Sequence, residues 1–249
     1  MTTPIRTVVL TGASRGIGHA TVKRFSAEGW RIITCSRDEV PEACKRDPNW
    51  SAHIPTDLSD PRSVAAFTDA AMDVLGDDPL HALVNNAAVS PKTTFKERLG
   101  CLNGGIERWR EVFELNLFTP LELCRGFAAA LSRGAKQGGA CVVNITSIAG
   151  HEIHPFAGSA YSTSKAALSA LTREMAVEFA DLGVRVNAVA PGEIETEMIG
   201  EEYEPLIARI PMHRMGTPEE VASCVFQLCS KDFSYVTGTE VFVTGGQHL

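Results

Sequence analysis

Residues 7–18 read TVVLTGASRGIG, a short apolar run that leads directly into a glycine-rich turn. The run is typical of a buried strand, and apolar residues from Ile17 to Ala27 recur at helical spacing until Gly29 ends the pattern. Glycines let a backbone approach a pyrophosphate closely, and the N-terminus of a helix offers free N–H groups to it. The stretch therefore predicts a strand, turn and helix that bind a dinucleotide, with a plain tight connection as the alternative.

The composition is that of an ordinary globular chain with excess negative charge. Its 249 residues are 44% hydrophobic and 21% charged, and the formal net charge is -7. One domain over 1–249 accounts for this length, and the acidic balance argues against nucleic acid or an anionic membrane as partner. No apolar run reaches transmembrane length, and residues 1–12 lack a signal-peptide hydrophobic region. Seven cysteines without a C-x-x-C pair fit buried free thiols and a reducing cytoplasm.

The end of the second predicted strand, Arg31 to Ser36, bears on which dinucleotide binds. An acidic side chain there binds the adenosine ribose diol, whereas an arginine accommodates a 2′-phosphate. Here Ser36 occupies the place of the acid, Arg37 follows it, and Arg15 projects from the glycine turn. Two guanidinium groups near one ribose favour NADP(H) over NAD(H). In the alternative, Arg37 is a solvated loop charge and Asp38 binds the ribose.

Two further strands are predicted to end at residues that would lie against the dinucleotide. These strands are predicted over Ala52–Pro55 and Leu80–Val84. The first leads to Asp57 and Leu58, which are placed to contact adenine. The second leads through Asn85 to Asn86 and Ala87, where an amide and a small residue suit close approach of a cofactor. An ordinary turn is the alternative for this second pattern.

A group suited to proton transfer lies in residues 141–165, CVVNITSIAGHEIHPFAGSAYSTSK. The stretch is predicted to begin as a buried strand, to form a loop from Ser147 and to end in a helix. Tyr161 and Lys165 are four residues apart, so they share one face of that helix. A hydroxyl, a phenol and an ammonium together suit proton exchange with an alcohol oxygen, because an adjacent cation lowers the pKa of a phenol. The alternative is an amphipathic helix with a surface tyrosine and lysine.

A long helix is predicted from about Ile106, and Pro120 lies inside it. Proline has no N–H, so the carbonyl of Asn116, four residues earlier, loses its usual partner and is available to hold a water. The alternative is a kinked core helix. Upstream, Pro91 to Gly105 is an irregular basic stretch at the ligand-binding edge of the sheet, and it is either a substrate-side loop or solvated surface.

The last part of the chain is predicted to complete the sheet and to add a second substrate-side segment over residues 193–211. Gly183 to Ala190 alternates like a strand and runs into Pro191-Gly192-Glu193-Ile194-Glu195-Thr196. Thr196 is placed to hydrogen-bond a carboxamide or a phosphate, or is a plain loop hydroxyl. Glu197 to Pro211 is predicted to be a mobile helical lid over a hydrophobic substrate. A capping box at Thr217 opens the last helix.

In this order the motifs resemble the short-chain dehydrogenase/reductase family over essentially the whole chain. The matching positions are Thr11 to Gly18, Asp57, Asn85 to Ala87, Asn116, Ser147, Tyr161, Lys165 and the segment Pro191 to Thr196. The resemblance implies a single doubly wound α/β domain of Rossmann type, with a seven-stranded parallel sheet, helices on both faces and a homotetramer. Contacts to the cofactor are expected from Gly12, Ser14, Arg15, Gly16, Ile17, Gly18, Arg37, Asp57, Leu58, Asn86, Ala87, Tyr161, Lys165, Pro191, Gly192, Ile194 and Thr196.

The resemblance also implies roles for four residues. Tyr161 is the general acid in reduction and the general base in oxidation, and Lys165 lowers its pKa and holds the nicotinamide ribose. Ser147 hydrogen-bonds the substrate carbonyl oxygen, where negative charge develops. Asn116 anchors a water that passes protons to Lys165. Hydride transfer belongs to the nicotinamide.

The implied activity is NADP(H)-dependent interconversion of a small-molecule ketone and a secondary alcohol. Residues 214–221 and 236–246 are similar to the branch of 3-oxoacyl-(acyl carrier protein) reductases, which makes an acyl thioester a candidate substrate. The alternatives are a sugar, polyol or steroid dehydrogenase of the same family, a nucleotide-sugar epimerase on the same fold, and a non-catalytic protein that senses NADP(H). The intact Ser147, Tyr161 and Lys165 favour an enzyme.

Overall fold

The computed structural model describes residues 5–39, 44, 46–93, 97–195 and 204–249. Within these residues seven strands form one parallel sheet in the order β3-β2-β1-β4-β5-β6-β7. The strands are β1 (Thr7–Thr11), β2 (Arg31–Ser36), β3 (Trp50–Pro55), β4 (Ala82–Asn85), β5 (Ala140–Ile145), β6 (Val184–Pro191) and β7 (Glu240–Val243). The order reverses between β1 and β4, which confirms the predicted doubly wound sheet.

Helices cover both faces of this sheet, as predicted. They are α1 (Gly16–Ala27), α2 (Pro61–Leu75), α3 (Ile106–Phe113), α4 (Thr119–Lys136), α5 (Ser159–Ala180), α6 (Glu204–Ile207) and α7 (Pro218–Cys229). One core cluster joins α1 and α7 to the sheet, and the other joins α2, α4 and α5 to it. None of the described helices is both long and apolar enough to cross a membrane.

Strand β1 shows how the two layers are built from one apolar run. Val8 and Leu10 pack into the cluster of α1 and α7, whereas Val9 packs into the opposite cluster. Because successive side chains of a strand point to opposite faces, a continuous apolar run is what a strand covered on both sides requires. Val9 is paired with Ile33 of β2 and Leu83 of β4, so β1 lies at the centre of the sheet beneath the glycine turn.

The helix predicted from Ile106 consists of three segments. A π-helical turn, Glu114–Phe118, joins α3 to α4, and the N–H of Thr119 donates to the carbonyl of Glu114 five residues earlier. Pro120 follows at the start of α4. Since proline cannot donate to the carbonyl of Asn116, the wider turn accommodates the missing bond without ending the helix. The sequence predicted a kink here but not its π-helical form.

Described residues of the stretch Pro91 to Gly105, predicted as a substrate-side loop or solvated surface, contact the body of the protein. Lys92 and Arg98 form an antiparallel bridge, and Leu99 is buried with Val112 and Ala160. Of the second predicted segment, residues 196–203 lie outside the described residues, and with them Thr196. Its described part contains the short helix α6, whose Leu206 is buried.

Candidate active site

A cavity of about 440 Å³ opens at the carboxyl edge of β1, β2 and β4. Predicted cofactor residues that line it are Gly12, Ser14, Arg15, Arg37, Asp57, Leu58, Asn86 and Ala87. Hydrogen bonds from the amide and hydroxyl of Ser59 lower the pKa of Asp57. The cavity lies at the point where the strand order reverses, between β1 and β4, and ligands bind at this point in doubly wound sheets.

The glycine turn is built for close approach of a backbone and a ligand. Gly12 has a φ of 71°, and a Cβ on it would lie 2.8 Å from Nδ2 of Asn86. A Cβ on Gly18 would lie 2.0 Å from the carbonyl oxygen of Gly12. Asn86 Nδ2 in turn donates to the carbonyls of Thr11 and Gly12, both at 3.0 Å. This cradle, with Ser14 and Arg15 on its rim, fits the pyrophosphate of a dinucleotide.

The end of β2 contains hydrogen bonds that the sequence did not predict. Ser36 Oγ donates to the carbonyl of Asp38 at 2.6 Å, and His53 Nε2 lies 3.0 Å from that carbonyl oxygen. The hydroxyl of Ser36 is therefore used within the protein. Arg15, Arg37 and Asp38 all line the cavity. The arginines expected to bind a 2′-phosphate and the aspartate that would instead bind the ribose therefore both face it.

A second cavity, of about 280 Å³, brings together the residues predicted for proton transfer. Ser147, Tyr161 and Lys165 line it with the predicted cofactor residues Ile17, Asn86, Pro191, Gly192 and Ile194. Asn86 and Ala88 line both cavities, so the two spaces adjoin. An elongated ligand that enters the first cavity can thus reach Tyr161 in the second.

The environment of Lys165 and Tyr161 differs from the expected one. Lys165 Nζ donates to the carbonyl of Ile145 at 2.6 Å and lies 5.7 Å from the centre of the Tyr161 ring. Burial lowers the pKa of Lys165 to about 7. Burial also raises the pKa of Tyr161; a hydrogen bond with Ser147 lowers it, and the charge of Glu193 raises it further. Burial is the largest of these effects, and Lys165 is not among the groups that act on the pKa of Tyr161 here. The expectation that Lys165 lowers this pKa therefore remains a prediction.

Asn116 lies beside the group formed by Ser147, Tyr161 and Lys165 rather than within it. Its Nδ2 donates to Oγ of Ser164 and to the carbonyl of Val89, both at 3.0 Å, and its Oδ1 accepts from the amide of Val89 at 2.9 Å. The residue is fully buried. These contacts tie the chain after β4 to the helix that carries Tyr161 and Lys165. The water relay through its backbone carbonyl remains a prediction.

Comparison with known proteins places this geometry in a family. A family model described as enoyl-(acyl carrier protein) reductase matches residues 12–248. A solved oxidoreductase from Brucella ovis, described as of the short-chain dehydrogenase/reductase family and in complex with partially ordered NAD, is 46% identical. The alignment covers 97% of this chain and 100% of that chain, with a TM-score of 0.82. The chain belongs to the short-chain dehydrogenase/reductase family.

Two curated relatives show the range of this family around the chain. Protein FixR of Bradyrhizobium diazoefficiens is 50% identical over 246 residues, which cover 98% of this chain and 87% of that protein. The 3beta-hydroxysteroid dehydrogenase 1 of Eggerthella lenta is 36% identical over 257 residues, with 98% of this chain and 94% of that protein covered. Short-chain dehydrogenases/reductases are oxidoreductases that act on alcohols and ketones, and the same holds for this chain at that level.

Some predicted residues of this short-chain dehydrogenase/reductase lie outside the two cavities, and some cavity residues were not predicted. Gly16 and Gly18 shape the turn without lining either space, and Thr196 lies outside the described residues. The charged residues among those not predicted are Arg108 and Glu111, which line the first cavity, and Glu193, which lines the second. A charged residue directly after a buried strand at the ligand-binding edge is the signal by which Glu193 could have been found.

Proposed function

We propose that the chain is an NADP(H)-dependent oxidoreductase that interconverts a ketone and a secondary alcohol, with Tyr161 as the acid and base. The adjoining cavities carry this proposal, since a dinucleotide in the first would place its far end beside Ser147, Tyr161 and Lys165. Two guanidinium groups on the first cavity, from Arg15 and Arg37, support NADP(H). The Brucella ovis protein was solved with NAD, so NAD(H) is the second candidate cofactor.

The residues of the second cavity suffice for the proton chemistry of the reaction. The bound nicotinamide supplies a hydride in reduction and accepts one in oxidation. In reduction, Ser147 Oγ hydrogen-bonds the carbonyl oxygen, and Tyr161 gives its phenolic proton to that oxygen as negative charge develops there. In oxidation the phenolate of Tyr161 takes the hydroxyl proton back. Lys165 lies near the phenolate and stabilises it when protonated.

The finer assignments are proposals of the same kind. A 3-oxoacyl thioester remains a candidate substrate, and the description of the matching family model supports acyl-thioester chemistry.

A homotetramer is proposed because Phe118 and Val177, on neighbouring elements of one face, are 46% and 74% exposed. Seven free cysteines, four of them buried, support the prediction of a reducing cytoplasm.

The proposal is tested by following oxidation of NADPH and of NADH by the purified protein, with an acetoacetyl thioester and with a panel of neutral ketones. We expect consumption of NADPH in preference to NADH with at least one of these compounds. Preference for NADH would show that Arg15 and Arg37 do not bind a 2′-phosphate. Tight binding of NADPH without turnover of any compound would favour the second candidate function, a protein that senses NADP(H).

A further inference from the structure

Glu193 is a carboxylate in the second cavity to which the proposed reaction gives no task. It follows Pro191 and Gly192 at the end of β6, and its side chain is 9% exposed. Its backbone is fixed, because its carbonyl accepts from the amide of Gly216 at 2.9 Å. Glu193 lines the cavity together with Ser147 and Tyr161, and its charge acts on the Tyr161 phenol.

The partner of Glu193 is His154, from the loop between β5 and α5. His154 Nε2 lies 2.5 Å from Oε1 of Glu193. On the other side of the ring, Nδ1 accepts from the amides of Phe156 and Ala157 at 3.2 and 3.1 Å. An atom that accepts two N–H groups carries no proton, so the hydrogen of the neutral imidazole is on Nε2 and points at Glu193. His154 therefore gives Glu193 a hydrogen bond without a compensating positive charge.

The loop that carries His154 is fixed from its other side by Lys92 and Arg98. Lys92 Nζ donates to the carbonyl of Phe156 at 2.8 Å, and Arg98 Nε donates to the carbonyl of Ala157 at 2.6 Å. The same two residues, Phe156 and Ala157, thus hold the imidazole through their N–H groups and are themselves held through their carbonyl oxygens. These hydrogen bonds fix the position of His154, and His154 in turn fixes the orientation of the Glu193 carboxylate in the cavity.

A buried carboxylate without a counter-ion favours ligands that donate hydrogen bonds to it. An anionic group beside it would be repelled. A cationic group would share the cavity with Lys165, whose Nζ is already directed at the carbonyl of Ile145. A neutral hydroxyl satisfies the carboxylate without either conflict. Among the described residues, the hydrogen bond to Glu193 involves Oε1, which leaves Oε2 as the acceptor for such a hydroxyl.

We propose that Glu193 is a specificity-determining residue that accepts a hydrogen bond from a hydroxyl on the carbon next to the reacting one. The substrates would then be vicinal diols and α-hydroxyketones, including polyols and sugars, in preference to ketones without that hydroxyl. This inference rests on the proposed function, because it names the substrate class of the same site. His154 is the positioning residue that holds the carboxylate.

The test compares reduction of acetoin and of 2-butanone by NADPH, since these two ketones differ only in one hydroxyl on the neighbouring carbon. A hydrogen bond to a charged group corresponds to roughly a tenfold or larger preference in kcat/KM for acetoin. In Glu193→Gln the amide oxygen faces His154 and its NH₂ faces the substrate, so the acceptor becomes a donor. We expect the ratio of kcat/KM for acetoin to that for 2-butanone to fall in this variant. The ratio is the readout, because loss of the Glu193 charge also acts on the Tyr161 phenol and so changes both values. Glu195→Gln, two residues further and exposed, is the matched control and should keep the preference.

Several results would overturn the inference separately from the proposed function. Equal kcat/KM for the two ketones in the unmodified protein, or an unchanged preference in Glu193→Gln, would refute the role of Glu193 and leave the oxidoreductase proposal intact. If neither ketone reacts, or the variant does not fold, calorimetric titration of the NADP-loaded protein with 2,3-butanediol and 2-butanol decides. Tighter binding of the diol would support the inference, and equal or undetectable binding would refute it.

Discussion

At the scale of single residues, the site combines two buried groups whose pKa values move in opposite directions. Burial lowers the pKa of Lys165 to about 7 and raises that of Tyr161. Both shifts disfavour charge, so the phenol retains its proton at neutral pH. A tyrosine in this state is a ready proton donor for reduction, whereas oxidation first requires the phenolate. With Tyr161 as the proposed acid and base, these shifts predict that reduction is favoured at neutral pH and oxidation at higher pH.

His81 provides a residue-scale prediction about stability. Its Nδ1 accepts from the amide of Thr7 at 3.1 Å, and burial lowers its pKa from 6.5 to about 4. Between these values the unfolded chain binds a proton that the folded protein does not, so stability falls as the pH falls. We expect a loss of about 2 kcal/mol in the free energy of unfolding from pH 7.5 to pH 5 from this group alone.

Denaturant unfolding at several pH values checks this prediction. His81→Asn keeps an acceptor for Thr7 and removes the titration, so the loss of stability between pH 7.5 and pH 5 should shrink. His213→Asn is the control at an exposed position with a positive φ, which asparagine tolerates. An equal pH dependence in the unmodified protein and in His81→Asn would contradict the account.

At the scale of elements, Lys92 and Arg98 support the loop between β5 and α5 that carries His154. Removing the guanidinium in Arg98→Met leaves the carbonyl of Ala157 without its 2.6 Å donor and loosens the loop that holds His154. We expect KM for a hydroxyketone to rise about tenfold, the loss expected for one hydrogen bond to a charged group, with the affinity for NADPH unchanged. Steady-state kinetics and NADPH titration measure the two effects. An unchanged KM, or the same rise in the exposed control Arg125→Met, would count against a supporting role.

The elements also show which features of the fold and site could be predicted from sequence patterns. The strand, glycine turn and helix over residues 7–29 were predictable, because a buried strand and a helix N-terminus leave short-range patterns. The π-helical turn at Glu114–Phe118 was not, since a proline predicts a lost hydrogen bond but not how the backbone absorbs it. Glu193 and His154 are 39 residues apart in the chain, and their pairing depends on the packing of two loops. Pairings of this kind leave no periodic signal.

At the scale of the whole molecule, the proposed homotetramer is the feature to test. Val177 on α5 is 74% exposed, which suits burial against a second copy of the chain. We expect native mass spectrometry to show tetramers for the unmodified protein and smaller species for Val177→Glu, because a buried unpaired charge is costly. Lys23→Glu on the exposed side of α1 is the control and should remain tetrameric. A monomer for the unmodified protein would refute the proposed assembly.

The most direct test of the central claim is to separate cofactor binding from proton transfer in Tyr161→Phe. NADPH affinity is measured by titration, and turnover is measured as loss of NADPH absorbance with the best ketone substrate. The account predicts that Tyr161→Phe binds NADPH as the unmodified protein does and loses turnover by at least about a hundredfold, the size of a general acid contribution. Tyr235→Phe, at a fully exposed tyrosine, should behave as the unmodified protein. Retained turnover in Tyr161→Phe would contradict the account.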